Sequence, residues 1–315
     1  MYEEFYGLRE KPFSLTPNPR YVYYSDRYRG TLEHLLFGLE QREGFLLLTG
    51  MVGTGKTTLC RDLLEQLDTA RYRTALIFNP FLNAQEMLQA LLTEFGCTYP
   101  EGASKKEMLE RLNRFLLARL IDGLTCVAIF DEAQHLTPEF LEQIRVLSNL
   151  ETEEEKLLQI VLVGQPELRE RIQRPSLAQL DQRVSVRCTL TNLDREELER
   201  YIYHRLNVAG AQGRVQFTRG ALRRIFEATE GIPRLVNLTC DRALLAGYVA
   251  RADHIGRKHV EQGLASLRGS DAGDSAPRRR WWPRWLDRRI TLVVMAALAL
   301  LTAGLAAAWL AGVGR

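Results

Sequence analysis

No two of the five cysteines (Cys60, Cys97, Cys126, Cys188, Cys240) form a CxxC pair, and no histidine stands at ligand spacing from them. Scattered cysteines of this kind exclude a zinc module or a disulfide scaffold and predict small buried side chains in a reducing compartment. The opening stretch, MYEEFYGLREKPF, holds no continuous apolar run, so no secretory signal is expected. A large charge of one sign is missing too: the formal net charge of the 315 residues is +3. Even that excess is local. From Arg278 onward there are seven Arg and one Asp, whereas residues 1–277 carry 35 basic and 38 acidic groups. A mildly acidic body argues against a general nucleic-acid surface.

Very long apolar runs are absent with one exception. Residues 290–310 are 21 positions without a charge, and a helix of that length reaches about 31 Å, enough to cross a hydrocarbon core. Six Arg lie in the twelve residues before it, with Trp281, Trp282 and Trp285 among them, and only Arg315 follows. Basic flanks stay in the cytoplasm and Trp favours the headgroup layer. The expectation is one C-terminal transmembrane helix over 290–310 with the body cytoplasmic; the competing reading is a buried helix of a soluble core. Residues 269–289, beginning GSDAGDSAP, read as a linker and basic neck.

What is present is alternation. Apolar runs of strand length occur at 45–49, 74–78, 126–130, 158–163 and 184–190, with helical stretches between them. One helix is announced by Ser104 with Glu107, the pairing of a capping box, and another by Thr137 followed by Pro138. Alternating strands and helices predict an α/β fold: a parallel sheet with helices on both faces. From Leu193 to Leu267 the strand signal stops, which predicts a small all-helical second domain.

The chemistry sits at strand ends. GMVGTGKTT (Gly50, Met51, Val52, Gly53, Thr54, Gly55, Lys56, Thr57, Thr58) follows an apolar strand and opens a helix, the setting of a phosphate-binding P-loop. Glycines let backbone N–H groups converge on phosphate oxygens, and a helix N-terminus favours negative charge. Lys56 reaches the terminal phosphates of ATP, and Thr57 with Asp131 holds Mg²⁺. Asp131 ends the strand of CVAIFDEAQHL, where ligands of open α/β sheets gather, and Glu132 beside it is the candidate general base. His135 reads as structural rather than catalytic.

GMVGTGKTT and IFDEAQHL resemble the two Walker motifs of an AAA+ ATPase. FYGLREKPFSLTPNPRYVYYS ahead of them and VLVGQPEL after them resemble the ATPases of the general secretion pathway protein A type, the ExeA and MshM group. The likeness covers residues 1–268 and implies a P-loop domain at 31–191, a helical lid at 192–268, and an N-terminal segment at 1–30 packed over the adenine side. It implies Gln165 as the first sensor and Arg234 of GIPRLVN as the second. Arg183 of LAQLDQRV becomes the finger acting on a neighbour's nucleotide, with Arg171, Arg174 and Arg187 nearby leaving the choice of arginine open. Phe13 and Tyr21 either stack on the base or cover a core. The resemblance further implies the bacterial inner membrane, a self-assembled ring, and partners in a secretion, pilus or polysaccharide-export system. Its members commonly continue into a periplasmic part that binds peptidoglycan, which is not expected in the five residues after Leu310. The alternative is a DNA-dependent AAA+ regulator of the transposition type, for which an acidic body and a membrane span are awkward.

Overall fold

Strands form where apolar residues run without interruption. The computed structural model describes residues 1–78, 83–153 and 155–269. Its strands β1 (Phe45–Gly50), β2 (Tyr72–Ile77), β3 (Thr125–Phe130), β4 (Leu158–Gly164) and β5 (Val184–Leu190) make one sheet in the order β2-β3-β4-β1-β5. Every pairing is parallel. β1 and β4 are buried along their whole length, as parallel strands covered on both faces must be. Alternate residues point to opposite faces, so Phe45, Leu47, Ile160 and Leu162 enter one core while Leu46, Leu48, Val161 and Val163 enter the other.

Before and between the strands lie α1 (Tyr2–Phe5), α2 (Asp26–Glu40), α3 (Lys56–Gln66), α4 (Ala84–Glu94), α5 (Lys105–Ile121), α6 (Pro138–Leu147), α7 (Pro166–Ile172) and α8 (Ala178–Asp181). The cap expected at Ser104 forms with its reciprocal bond to Glu107, and the Thr137 hydroxyl accepts from the Phe140 N–H at 3.2 Å. The N-terminal 30/31 boundary read from the sequence falls inside α2.

After β5 come α9 (Arg195–Val208), α10 (Arg219–Thr229), α11 (Pro233–Val249) and α12 (Arg257–Leu267). This part is not all-helical. Two short strands, β6 (Gln216–Phe217) and β7 (His254–Ile255), pair in parallel, Gln216 with His254 and Phe217 with Ile255. Two residues are too few for a strand to show its period of two in a sequence. The core of this helical part is completed by the start of the chain. Tyr2, Tyr6, Leu8 and Phe13 are buried with Leu198, Ile202, Val236 and Leu244. The Tyr2 hydroxyl donates to Asp241 at 2.6 Å and that of Tyr6 to the Ala252 carbonyl at 3.1 Å.

Residues 1–25 therefore form a strap. At one end the buried Arg205 guanidinium of α9 donates to the carbonyls of Pro12 (2.6 Å) and Ser14 (3.2 Å). At the other, the hydroxyls of Tyr24 and Tyr28 both donate to Asp62 of α3 at 3.2 Å. The first 269 residues make one compact unit. Among the described residues no helix is long and apolar enough to cross a membrane; the linker, neck and span expected at 269–310 lie, apart from Gly269, outside them.

Candidate functional site

β1, β3 and β4 end side by side, at Gly50, Phe130 and Gly164. Parallel strands carry the following loops to one edge of the sheet, so the glycine loop, the acidic pair and Gln165 meet there by topology. Gly53 (φ +83°) and Gly55 (φ +101°) turn the loop through the left-handed region, and α3 starts at Lys56. At Gly53 a Cβ would stand 2.8 Å from the Arg234 Cβ, so only glycine fits under α11. The Arg234 N–H donates to the Gly53 carbonyl at 3.2 Å, which ties the helical part to the phosphate loop.

Lys56 is buried, and its ammonium donates to the carbonyls of Gly50 (2.8 Å) and Met51 (3.1 Å). Burial pushes its pKa below the usual lysine range, against the pull of the Glu132 and Asp131 carboxylates. The Thr57 hydroxyl donates to Asp131 Oδ2 at 2.7 Å, and Asp131 Oδ1 accepts the Glu132 N–H at 2.8 Å. A hydroxyl and a buried carboxylate brought together below a phosphate-type cradle are hard oxygen donors, the set that suits Mg²⁺. Glu132 holds a left-handed backbone (φ +56°), uncommon for a residue with a Cβ, and its side chain faces the cleft.

That cleft has a volume of about 350 Å³ and is walled by residues 52–58, Glu132, Gln165, Arg234 and residues 14–18 and 21–23 of the strap. Gln165 caps no helix with its side chain; its N–H donates to Gln134 Oε1 at 3.0 Å and its carbonyl accepts the Leu168 N–H at 2.9 Å. Arg183 is not brought to this cleft. It precedes Val184, which pairs with Phe45 at the far end of β1, about 17 Å of strand away from Gly50. There its guanidinium donates to the Ser148 hydroxyl at 2.5 Å. Arg171 is likewise committed, to the carbonyls of Gln134 (2.9 Å) and Leu136 (2.5 Å). His135 is exposed and outside the cleft wall. Both aromatics are buried in the core of the helical part, and Tyr21 also lines the cleft, with the Arg205 guanidinium 4.8 Å over its ring.

Several lining residues had no signal in the sequence. Tyr201, Arg205 and Asn237 sit on α9 and α11 and read as ordinary helix positions, yet they wall the strap side of the cleft. The Tyr201 hydroxyl donates to Asn237 Oδ1 at 2.9 Å.

Residues 39–172 match the family model of the AAA domain. General secretion pathway protein A of Aeromonas hydrophila is 48% identical over 254 residues, which cover 81% of this chain and 46% of that protein. The chain is an AAA-domain protein related to general secretion pathway protein A. It spans about half the length of that relative. Among solved structures, the Aeropyrum pernix ORC1 protein in complex with DNA aligns with a TM-score of 0.62 at 19% identity, over 82% of this chain and 70% of that one. Cdc6p of Pyrobaculum aerophilum gives 0.62 at 19% identity, over 81% and 70%. The Aeropyrum pernix ORC2 protein, solved as ADPNP–ADP complexes, gives 0.59 at 15% identity, over 81% and 71%. At these identities the likeness is one of fold: a P-loop AAA+ parallel sheet.

Proposed function

We propose that the protein is a membrane-anchored ATPase that binds and hydrolyses ATP to assemble or remodel an envelope-spanning secretion, pilus or polysaccharide-export apparatus. The observation that carries the chemistry is the 2.7 Å bond between Thr57 and Asp131, set beside a buried lysine and a cleft-facing glutamate. In this reading the phosphates lie on the N–H groups of residues 52–58 and exchange places with the carbonyls that now hold Lys56. Thr57 and Asp131 would hold Mg²⁺, which when bound would supply positive charge to the phosphate oxygens. Glu132 takes a proton from the water that attacks the γ-phosphorus, and ADP leaves as that P–O bond breaks. Gln165 and Arg234 contact the terminal phosphates from the sheet edge and from α11. Arg183, at the opposite end of the sheet, acts on the nucleotide of a neighbouring subunit, so a ring is part of the chemistry.

The secretion setting rests on the relative in Aeromonas hydrophila, and the anchor on residues 290–310. The test of the chemistry is direct. Lys56→Ala weakens nucleotide binding at least about 100-fold, and Glu132→Gln keeps binding while turnover falls by a factor on the order of 10²–10⁴. Native turnover in the Glu132→Gln protein removes Glu132 from the base role.

A further inference from the structure

Between Glu132 and Gln165 lies a side chain with no role in the mechanism above. Gln134 Nε2 donates to Glu132 Oε2 at 2.5 Å, and Gln134 Oε1 accepts the Gln165 N–H at 3.0 Å. The orientation of this amide is fixed by chemistry. Its oxygen must face the backbone donor and its nitrogen the carboxylate, because the flipped form sets donor against donor and acceptor against acceptor. The rest of the residue is held too: Arg171 of α7 donates to the Gln134 carbonyl, and Gln134 itself is half-buried. Room for the amide is made at the end of β4. A Cβ on Gly164 would stand 2.9 Å from Gln134 Oε1 and 3.2 Å from its backbone nitrogen.

We propose that Gln134 is a positioning residue that ties the Glu132 carboxylate to the backbone of Gln165, so that the base stays turned to the cleft. This rests on the reading of Glu132 as general base. The physical need is plain: Lys56 attracts Glu132 electrostatically, and a carboxylate free to rotate is drawn to that ammonium. One carboxylate oxygen bonded to the amide leaves the other to accept the hydrogen of a water. Because a hydrogen bond to a charged group is the stronger kind, the amide is well suited to hold it. The same amide makes Gln165 and Glu132 move together, so a change of backbone at the sensor position is transmitted to the base.

The test uses the full chain in detergent, with ATP turnover measured by phosphate release and nucleotide affinity by a fluorescent ATP analogue. Gln134→Leu removes both bonds. Gln134→Glu keeps size and shape and still accepts from the Gln165 N–H, but replaces the donor to Glu132 with a second carboxylate that repels it. Both variants are expected to lower kcat about tenfold or more, with KM for ATP and melting temperature near native. In a Glu132→Gln background, Gln134→Leu should add no further loss, because residues that act as a unit are not additive. Unchanged or raised kcat in Gln134→Glu overturns the proposal, as does a loss of the same factor in both backgrounds. Those results, with Glu132→Gln itself inactive, leave the base reading standing; full turnover in Glu132→Gln removes both.

Discussion

Lys56 illustrates how much of this site is settled one side chain at a time. Its ammonium is buried and satisfied by two loop carbonyls, a state that suits it only while no phosphate competes. Lys56→Ala should weaken ATP binding at least about 100-fold, roughly 2.7 kcal/mol, in line with the loss of a charge-assisted contact; a fluorescent-nucleotide titration checks it. A second residue-scale prediction concerns pH. His259 Nδ1 accepts the Gly256 N–H at 3.1 Å. Burial, with the nearby charge of Lys258 adding to it, holds the imidazole pKa below the usual range. A histidine with a depressed folded-state pKa favours the fold above its unfolded value of about 6.5 and loses that contribution as pH falls toward the lowered value. Melting temperature should therefore drop between pH 7 and pH 5, and His259→Gln, which keeps an acceptor at the third helical position, should drop less. The part of the fall that persists in the variant belongs to His204, which burial also depresses.

At the scale of elements, the turn into α11 is the most constrained. Gly231 sits at φ +74°, and a Cβ there would lie 1.9 Å from the Leu193 carbonyl oxygen. The Leu193 N–H in turn donates to the Gly231 carbonyl at 3.0 Å, so this contact closes the joint between sheet and helical part. Gly231→Ala should cost about 2–3 kcal/mol through backbone strain and displacement, read as a lower denaturant midpoint. Elements are legible where one physical signal dominates. Buried parallel strands announce themselves as apolar runs, and α5 and α6 by their capping residues. β6 and β7 give no such signal, being two residues each. The strap is expected at 1–30 only through the family resemblance, because nothing in its composition says which core receives Tyr2, Tyr6 and Phe13. Arg205 looks like one more charge on an amphipathic helix until its carbonyl partners are seen. Arg183 stands out by its neighbours in the sequence, and its distance from the glycine loop follows from its place just before β5, at the sheet edge opposite that loop. Gln134 lies within the second Walker stretch without an evident task, since one of its two partners comes from the end of a different strand.

For the whole molecule, the compact unit closes at Gly269, ahead of the neck and the apolar segment. Residues 1–269 alone should stay in the supernatant after high-speed sedimentation of cell lysate, while the full chain should pellet and resist an alkaline carbonate wash. A full chain released by the wash would remove the anchor from the proposal. The strap carries a consequence for exchange of bound nucleotide. The sheet half and the helical half are joined by the chain leaving β5, by residues 12–25 held at Asp62 and Arg205, and by the Arg234–Gly53 bond. The last two of these ties border the cleft itself, since the strap, Gly53 and Arg234 all line it. A ligand there leaves past the strap, so ADP departure should respond more to loosening that wall, as in Asp62→Ala, than to any change at the far end of α12.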